Sequence, residues 1–196
     1  IDSDLMFEHL HVLAGKSAAD KTYAETNAPE RYAQGKAVLE RLKNTVTSYR
    51  DIPGWFNYHD LYLWIAEQCS DGDVLVEVGC WKGRSVNYLA SLCKAMKKKP
   101  VIYVVDTFQG EDAQVAHEGC GYFRAEFERN LKACGNDDMV HIVEGDSAES
   151  AAAFQDNSVF SLFLDAAHEY EPVVRDLKAW QPKVRRDGIL CGHDFQ

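Results

Sequence analysis

The sequence predicts an α/β protein: a doubly wound, mostly parallel sheet with helices on both faces, preceded by an N-terminal helical cap. Three observations carry this. From about residue 73 strand signals alternate with helix signals, several strands are apolar at nearly every position, and polar residues follow the strand ends. Strands buried on both faces read as continuous apolar runs, and strand–helix alternation is the signature of a covered parallel sheet.

In chain order, Pro29 to Tyr49 reads as a helix of mixed charge, Asp51 to Tyr58 (DIPGWFNY) as a turn rich in aromatics, and His59 to Cys69 as a helix. We take residues 1–58 as the cap with its aromatic turn and 59–196 as the core of one domain. Asp73 to Val78 is the first strand. After Gly79, the residues Val86, Leu89, Ala90, Cys93 and Met96 recur at helical spacing. Lys97, Lys98 and Lys99, just before Pro100, suit the negative end of that helix. Val101 to Val105 is the second strand, closed by Asp106. Phe123 to Leu131 reads as a helix that Gly135 ends. Met139 to Val143 and Val159 to Leu164 are two more strands, with a short Ala-rich helix between them. Pro172 opens a helix with Val173, Val174, Leu177 and Trp180 on one face, which Pro182 stops. Gly188 to Cys191 is the fifth strand.

Composition fits this architecture. The 196 residues hold 21 Lys plus Arg against 31 Asp plus Glu, a formal charge of -10, with 46% hydrophobic and 11% aromatic residues. That is one globular domain, too apolar for disorder and without the bias of collagenous or disulfide-stapled chains. The acidic balance disfavours nucleic acid or an anionic membrane as main partner, since both are polyanions. No apolar run approaches the roughly 18 residues that cross a bilayer, and the expected address is cytoplasmic. Six scattered cysteines form no C-x-x-C pair, which argues against a zinc knuckle and suits a reducing compartment.

In a doubly wound sheet ligands gather beyond the carboxyl ends of the strands, where the strand order reverses. The first strand runs into Glu77-Val78-Gly79-Cys80-Trp81-Lys82-Gly83-Arg84-Ser85. A dinucleotide fingerprint needs glycine where Trp81 stands, so the spacing is E-x-G-x-x-x-G and NAD is disfavoured. Asp106 closes the second strand, where a carboxylate can accept from both hydroxyls of a ribose or simply cap the next turn. Glu144-Gly145-Asp146-Ser147 follows the third strand and Asp165-Ala166-Ala167-His168 the fourth.

On these motifs the chain resembles the class I S-adenosylmethionine-dependent methyltransferases, and among them the small O-methyltransferase-like group. The resemblance spans roughly residues 52–195: GWF, VEVGCWKGRS, VVDTF, EGDSAES, FLDAAHEY and DLKAWQPKVRRDGILCGHDF. It implies a Rossmann-like fold with S-adenosylmethionine across the strand ends. Gly79 and Gly83, with Cys80 in the same loop, would line its methionine portion, Glu77 and Ser85 would bind the amino and carboxylate ends, and Trp81 would pack beside it. Asp106, next to Thr107, would hold the ribose. Gly145, Asp146 and Ser147 would form the adenine edge.

A sulfonium methyl is already activated, so the protein must align the acceptor, exclude water and remove its proton. His168, three residues after Asp165, stands where catechol-type relatives carry the basic residue, and an imidazole suits neutral pH. Asp165 would line the same pocket. Asp165 and Asp194, each just past a strand, suggest a divalent cation such as magnesium or manganese. The relatives' last motif supplies a carboxylate and then an amide, whereas this chain has His193 and Asp194 there. His193 and Asp194 could therefore hold a metal or position substrate, or His193 could be the base itself.

The expected activity is methyl transfer to an oxygen, with nitrogen as second choice, of a small molecule. The rivals are a non-catalytic binder of the same fold and an NAD enzyme. Relatives continue through another helix and an antiparallel strand pair. Five strands where seven are expected implies either a longer native protein or a second copy covering the last edge, as in a homodimer.

Overall fold

The structure is a computed structural model that describes residues 48–110 and 122–193. Most of the expected cap, the helix from Pro29 included, lies outside the described residues, as do Cys120 and Asp194.

Five parallel strands form one sheet in the order β3-β2-β1-β4-β5: β1 Val74–Val78, β2 Val101–Asp106, β3 Val140–Glu144, β4 Val159–Leu164 and β5 Val184–Gly192. The chain steps outward from β1 through β2 to β3, then returns to lay β4 on the other side of β1. The order therefore reverses between β1 and β4, and a crevice opens above their carboxyl ends.

The period of two along each strand divides the core between two faces. Leu75, Ile102 and Val104 pack under α1 (His59–Gln68), α2 (Arg84–Ala95) and α3 (Arg124–Ala133). Val76, Val78, Val105 and Leu162 pack on the opposite face with Trp180 of α5 (Tyr170–Trp180), beside the short α4 (Ser147–Ser150). The aromatic turn plugs one side of the sheet. Tyr49 meets the rings of Phe56, His59 and Tyr88 at 4.9 to 5.8 Å.

Two element boundaries differ from expectation. β5 begins at Val184, not Gly188, with a register irregularity before Ile189, and the charged run Arg185 to Asp187 disguised its beginning as loop. There Arg185 pairs with Asp73 at 2.6 Å and lies 4.5 Å over the Phe160 ring. α5 begins at Tyr170, two residues before Pro172, because the first turn needs no N–H from proline.

Candidate functional site

The sheet's hydrogen bonding runs past the strand ends and fixes where each loop starts. Gly79 N–H donates to Val105 O, Gly145 N–H to Asp106 O, Asp165 N–H to Val78 O and His193 N–H to Leu164 O. The result is a cleft of about 610 Å³ above the sheet, with residues contributed from all five strand ends.

The glycine loop is shaped by close approach. Gly79 holds φ +84°, and a Cβ there would stand 2.1 Å from the Asp165 carbonyl oxygen. Gly83, also at φ +84°, starts α2 and faces the Phe127 ring, which a Cβ would strike at 2.6 Å. Gly79 thus borders the cleft, whereas Gly83 packs behind it. Between them the N–H groups of Cys80 and Trp81 donate to Asp106 Oδ2 at 2.8 and 2.9 Å, and Phe108 N–H donates to Oδ1 at 2.8 Å. Asp106 lines the cleft and also holds the loop to β2. Burial and the Asp106 carboxylate push the Cys80 thiol well up, so it remains protonated.

Trp81 stacks on Trp55 with centroids 5.3 Å apart, and its indole N–H has no hydrogen-bond partner among the described residues. Beneath it Lys82 is 3% exposed, 3.3 Å from Glu126 and 5.0 Å from the Trp81 ring. This pair anchors the loop to α3.

Below the cleft lies a buried polar network. Glu77 is 2% exposed and accepts hydrogen bonds from Tyr62 Oη at 2.7 Å and from Ser85 Oγ. Burial raises its carboxyl from the usual 4.5 to about 7, against the lowering effect of both hydroxyls. Ser85 reaches the cleft while Glu77 stands behind it. Burial and the neighbouring Glu77 and Asp165 charges push the Tyr58 phenol far up, so it stays a neutral hydroxyl.

At the β3 end, Asp146 Oδ1 accepts from Glu149 N–H and caps α4, while Oδ2 accepts from Arg175 at 2.7 Å. The cap N–H and then Arg175 hold its carboxyl below the usual range. The Ser147 carbonyl accepts from Trp180 Nε1 at 3.1 Å. Gly145 and Thr107 border the same end.

At the β4 and β5 ends, His193 Nδ1 stands 3.7 Å from Asp165 Oδ1, and its Nε2 lies 3.0 Å from Asn57 Oδ1. His168 is exposed on the loop after Asp165, at the cleft wall. Asp165 and His193 thus face each other, and Asp194 lies outside the described residues. Among the described residues no group of three or more His, Cys, Asp or Glu side chains comes together to hold a metal ion. The described donors do not fit a divalent cation by themselves.

Sequence reasoning missed Asn57, Lys82, Arg84, Arg175 and Asp176 at the cleft. Arg84 donates to Gly54 O at 2.8 Å, across 30 residues of sequence. Only the folded chain brings such groups together, although Asp176 opens the DLKAW run and Arg175 directly precedes it.

A family model described as a methyltransferase domain matches residues 76–195. The chain belongs to this family. It is an S-adenosylmethionine-dependent methyltransferase with the Rossmann-like α/β fold. The methyltransferase is similar to the solved structure of a caffeoyl-CoA O-methyltransferase-like protein from Staphylococcus aureus. The two share 15% identity over 81% of this chain and 71% of that one, with a TM-score of 0.53, which is a likeness of fold. A precorrin-6y C5,15-methyltransferase from Geobacter metallireducens shares 14% identity over 71% and 64% of the two chains, TM-score 0.49. An rRNA methylase from Streptococcus thermophilus shares 13% over 70% and 69%, TM-score 0.47. No curated protein matches the methyltransferase. Among its described residues no helix is long and apolar enough to cross a membrane.

Proposed function

We propose that this methyltransferase methylates an oxygen of a small molecule, with S-adenosylmethionine lying along the strand ends from Ser85 to Asp146. One observation carries the reading: Asp106, Asp146 and Ser85 line a single cleft at the point where the strand order reverses. The donor set fits that ligand. A carboxylate at the β2 end suits a ribose diol, a second at the β3 end suits an adenine amine, and a hydroxyl over a buried acid suits an amino-acid terminus.

When bound, S-adenosylmethionine supplies a methyl group already activated on a sulfonium. Asp106, whose Oδ1 carries one N–H donor and whose Oδ2 carries two, would accept from a ribose hydroxyl with Thr107 beside it, and Gly145, Asp146 and Ser147 would form the adenine edge. Gly79, Cys80 and Trp81 would wall the methionine portion, and Glu77 supports Ser85 from behind by accepting its hydroxyl proton in a hydrogen bond. Asp165 orients the acceptor together with His193 and Asn57. His168 takes the acceptor's proton and, being exposed, passes it to solvent. No step is assigned to a metal. A small acceptor is supported by the cleft's size and by a net charge of -10, which repels a polyanion.

Tryptophan fluorescence tests the reading, since Trp55 and Trp81 border the cleft. S-adenosylhomocysteine quenches saturably and NAD does not. Methyl transfer from labelled donor goes to hydroxyl-bearing small molecules and not to RNA. Tight NAD binding without S-adenosylhomocysteine binding, or transfer to RNA alone, would overturn it.

A further inference from the structure

The adenine end of the cleft holds a carboxylate that nothing above uses. Asp176 is 4% exposed, borders the cleft, and its Oδ1 has no hydrogen-bond partner among the described residues. A buried carboxylate oxygen without a donor is costly, and such an atom in a native fold calls for an explanation. Its neighbour in sequence, Arg175, reaches across to Asp146 instead. The guanidinium Nη2 is 2.7 Å from Asp146 Oδ2 and 4.0 Å from Asp176 Oδ1.

The two partners are unequal. The Arg175 and Asp146 side chains are 57% and 34% exposed, and an ion pair that wet contributes little. The Asp176 side chain is 6% exposed, and a donor arriving there would relieve an unmet acceptor. Moving the guanidinium by about 1 Å would bring it within hydrogen-bonding range of Asp176. A neutral amine is a weaker donor than a guanidinium, so the exchange at Asp146 is more favourable when the displaced Arg175 meets the unmet Asp176 oxygen instead of water alone.

We infer that Asp176 is a positioning residue for the adenine end, acting through Arg175: the guanidinium that covers Asp146 in the free protein passes to Asp176 when an adenine amine takes Asp146. This rests on the assignment of Asp146 to the adenine edge. The hand-over makes Arg175 a cover for the empty subsite and Asp176 its second seat, and it couples the two residues in cofactor affinity.

A double-mutant cycle read by calorimetric titration of S-adenosylhomocysteine tests the coupling. Asp176→Asn keeps the shape and loses the charge. It weakens binding about tenfold in the parent and less than twofold in an Arg175→Ala background. An equal loss in both backgrounds means that Asp176 acts without Arg175, and no loss in the parent means that it has no such role. Either result overturns the hand-over. Asp146→Ala separates this from the underlying assignment. If that variant binds like the parent, the adenine reading fails. If it binds weakly while Asp176→Asn binds normally, the hand-over alone fails. Should Asp176→Asn not fold, as judged by its circular dichroism melt, Asp176→Ser takes its place in the cycle with the same expected pattern.

Discussion

Replacing Glu77 by Gln removes an ionisable group from beneath the cleft and should change how stability depends on pH. The folded protein holds the Glu77 proton to about pH 7, whereas the usual carboxyl value is 4.5. The folded state therefore binds the proton more tightly than the unfolded chain does. Its contribution is complete below pH 4.5, declines as pH rises, and is gone once pH passes 7. At about 1.4 kcal/mol per unit the whole change is about 3 kcal/mol. About 2 kcal/mol of it falls between pH 5.5 and 8. Gln accepts from Ser85 or Tyr62 through one oxygen but does not titrate, so its stability should lack this component. Urea denaturation of parent and variant, followed by tryptophan fluorescence at half-unit steps, isolates the effect as a difference and cancels other groups, such as His59. The parent should lose about 2 kcal/mol relative to the variant from pH 5.5 to 8. A difference that stays constant across that range would refute burial as the dominant influence on Glu77.

Asp106→Ala removes the proposed ribose acceptor and the carboxylate that holds the Cys80 and Trp81 N–H groups. It should weaken S-adenosylhomocysteine binding by about 2 to 4 kcal/mol and lower the melting temperature as well. Calorimetry and a thermal melt check both parts, and unchanged affinity would remove Asp106 from the cofactor site. His168→Ala should lower kcat for methyl transfer by about 10² to 10⁴ while leaving S-adenosylhomocysteine affinity within about twofold. A steady-state assay with an identified acceptor reads this, and parental kcat would assign the base elsewhere. Gly79→Ala puts a Cβ 2.1 Å from the Asp165 carbonyl at φ +84° and should cost more than about 2 kcal/mol of stability in urea.

The sequence made the sheet legible because burial on both faces leaves a local record. Val159 to Leu164 could only be a covered strand, and it is β4 residue for residue. The beginning of β5 was hidden because Arg185 and Asp187 read as loop when their partners are unknown. Arg185 is accommodated by Asp73, 112 residues away, and by the Phe160 ring. The strand-end motifs were legible too, since a parallel sheet must bring the residues after its strands to one edge. Asp106, Asp146, Asp165 and His168 do border one cleft.

What the sequence determined by itself was therefore the class of fold, the edge of the sheet where the cleft opens, and the residue types offered there. All three follow from periodicity and turn chemistry, which act over a few neighbouring residues. Tertiary structure alone decided that Gly83 packs against Phe127 and does not border the cleft, that Glu77 stands behind Ser85 with a raised pKa, and that Arg175 is shared unequally between Asp146 and Asp176. Each of these depends on which distant atoms fill the space beside a group and how much water they displace. No short stretch of sequence contains that information.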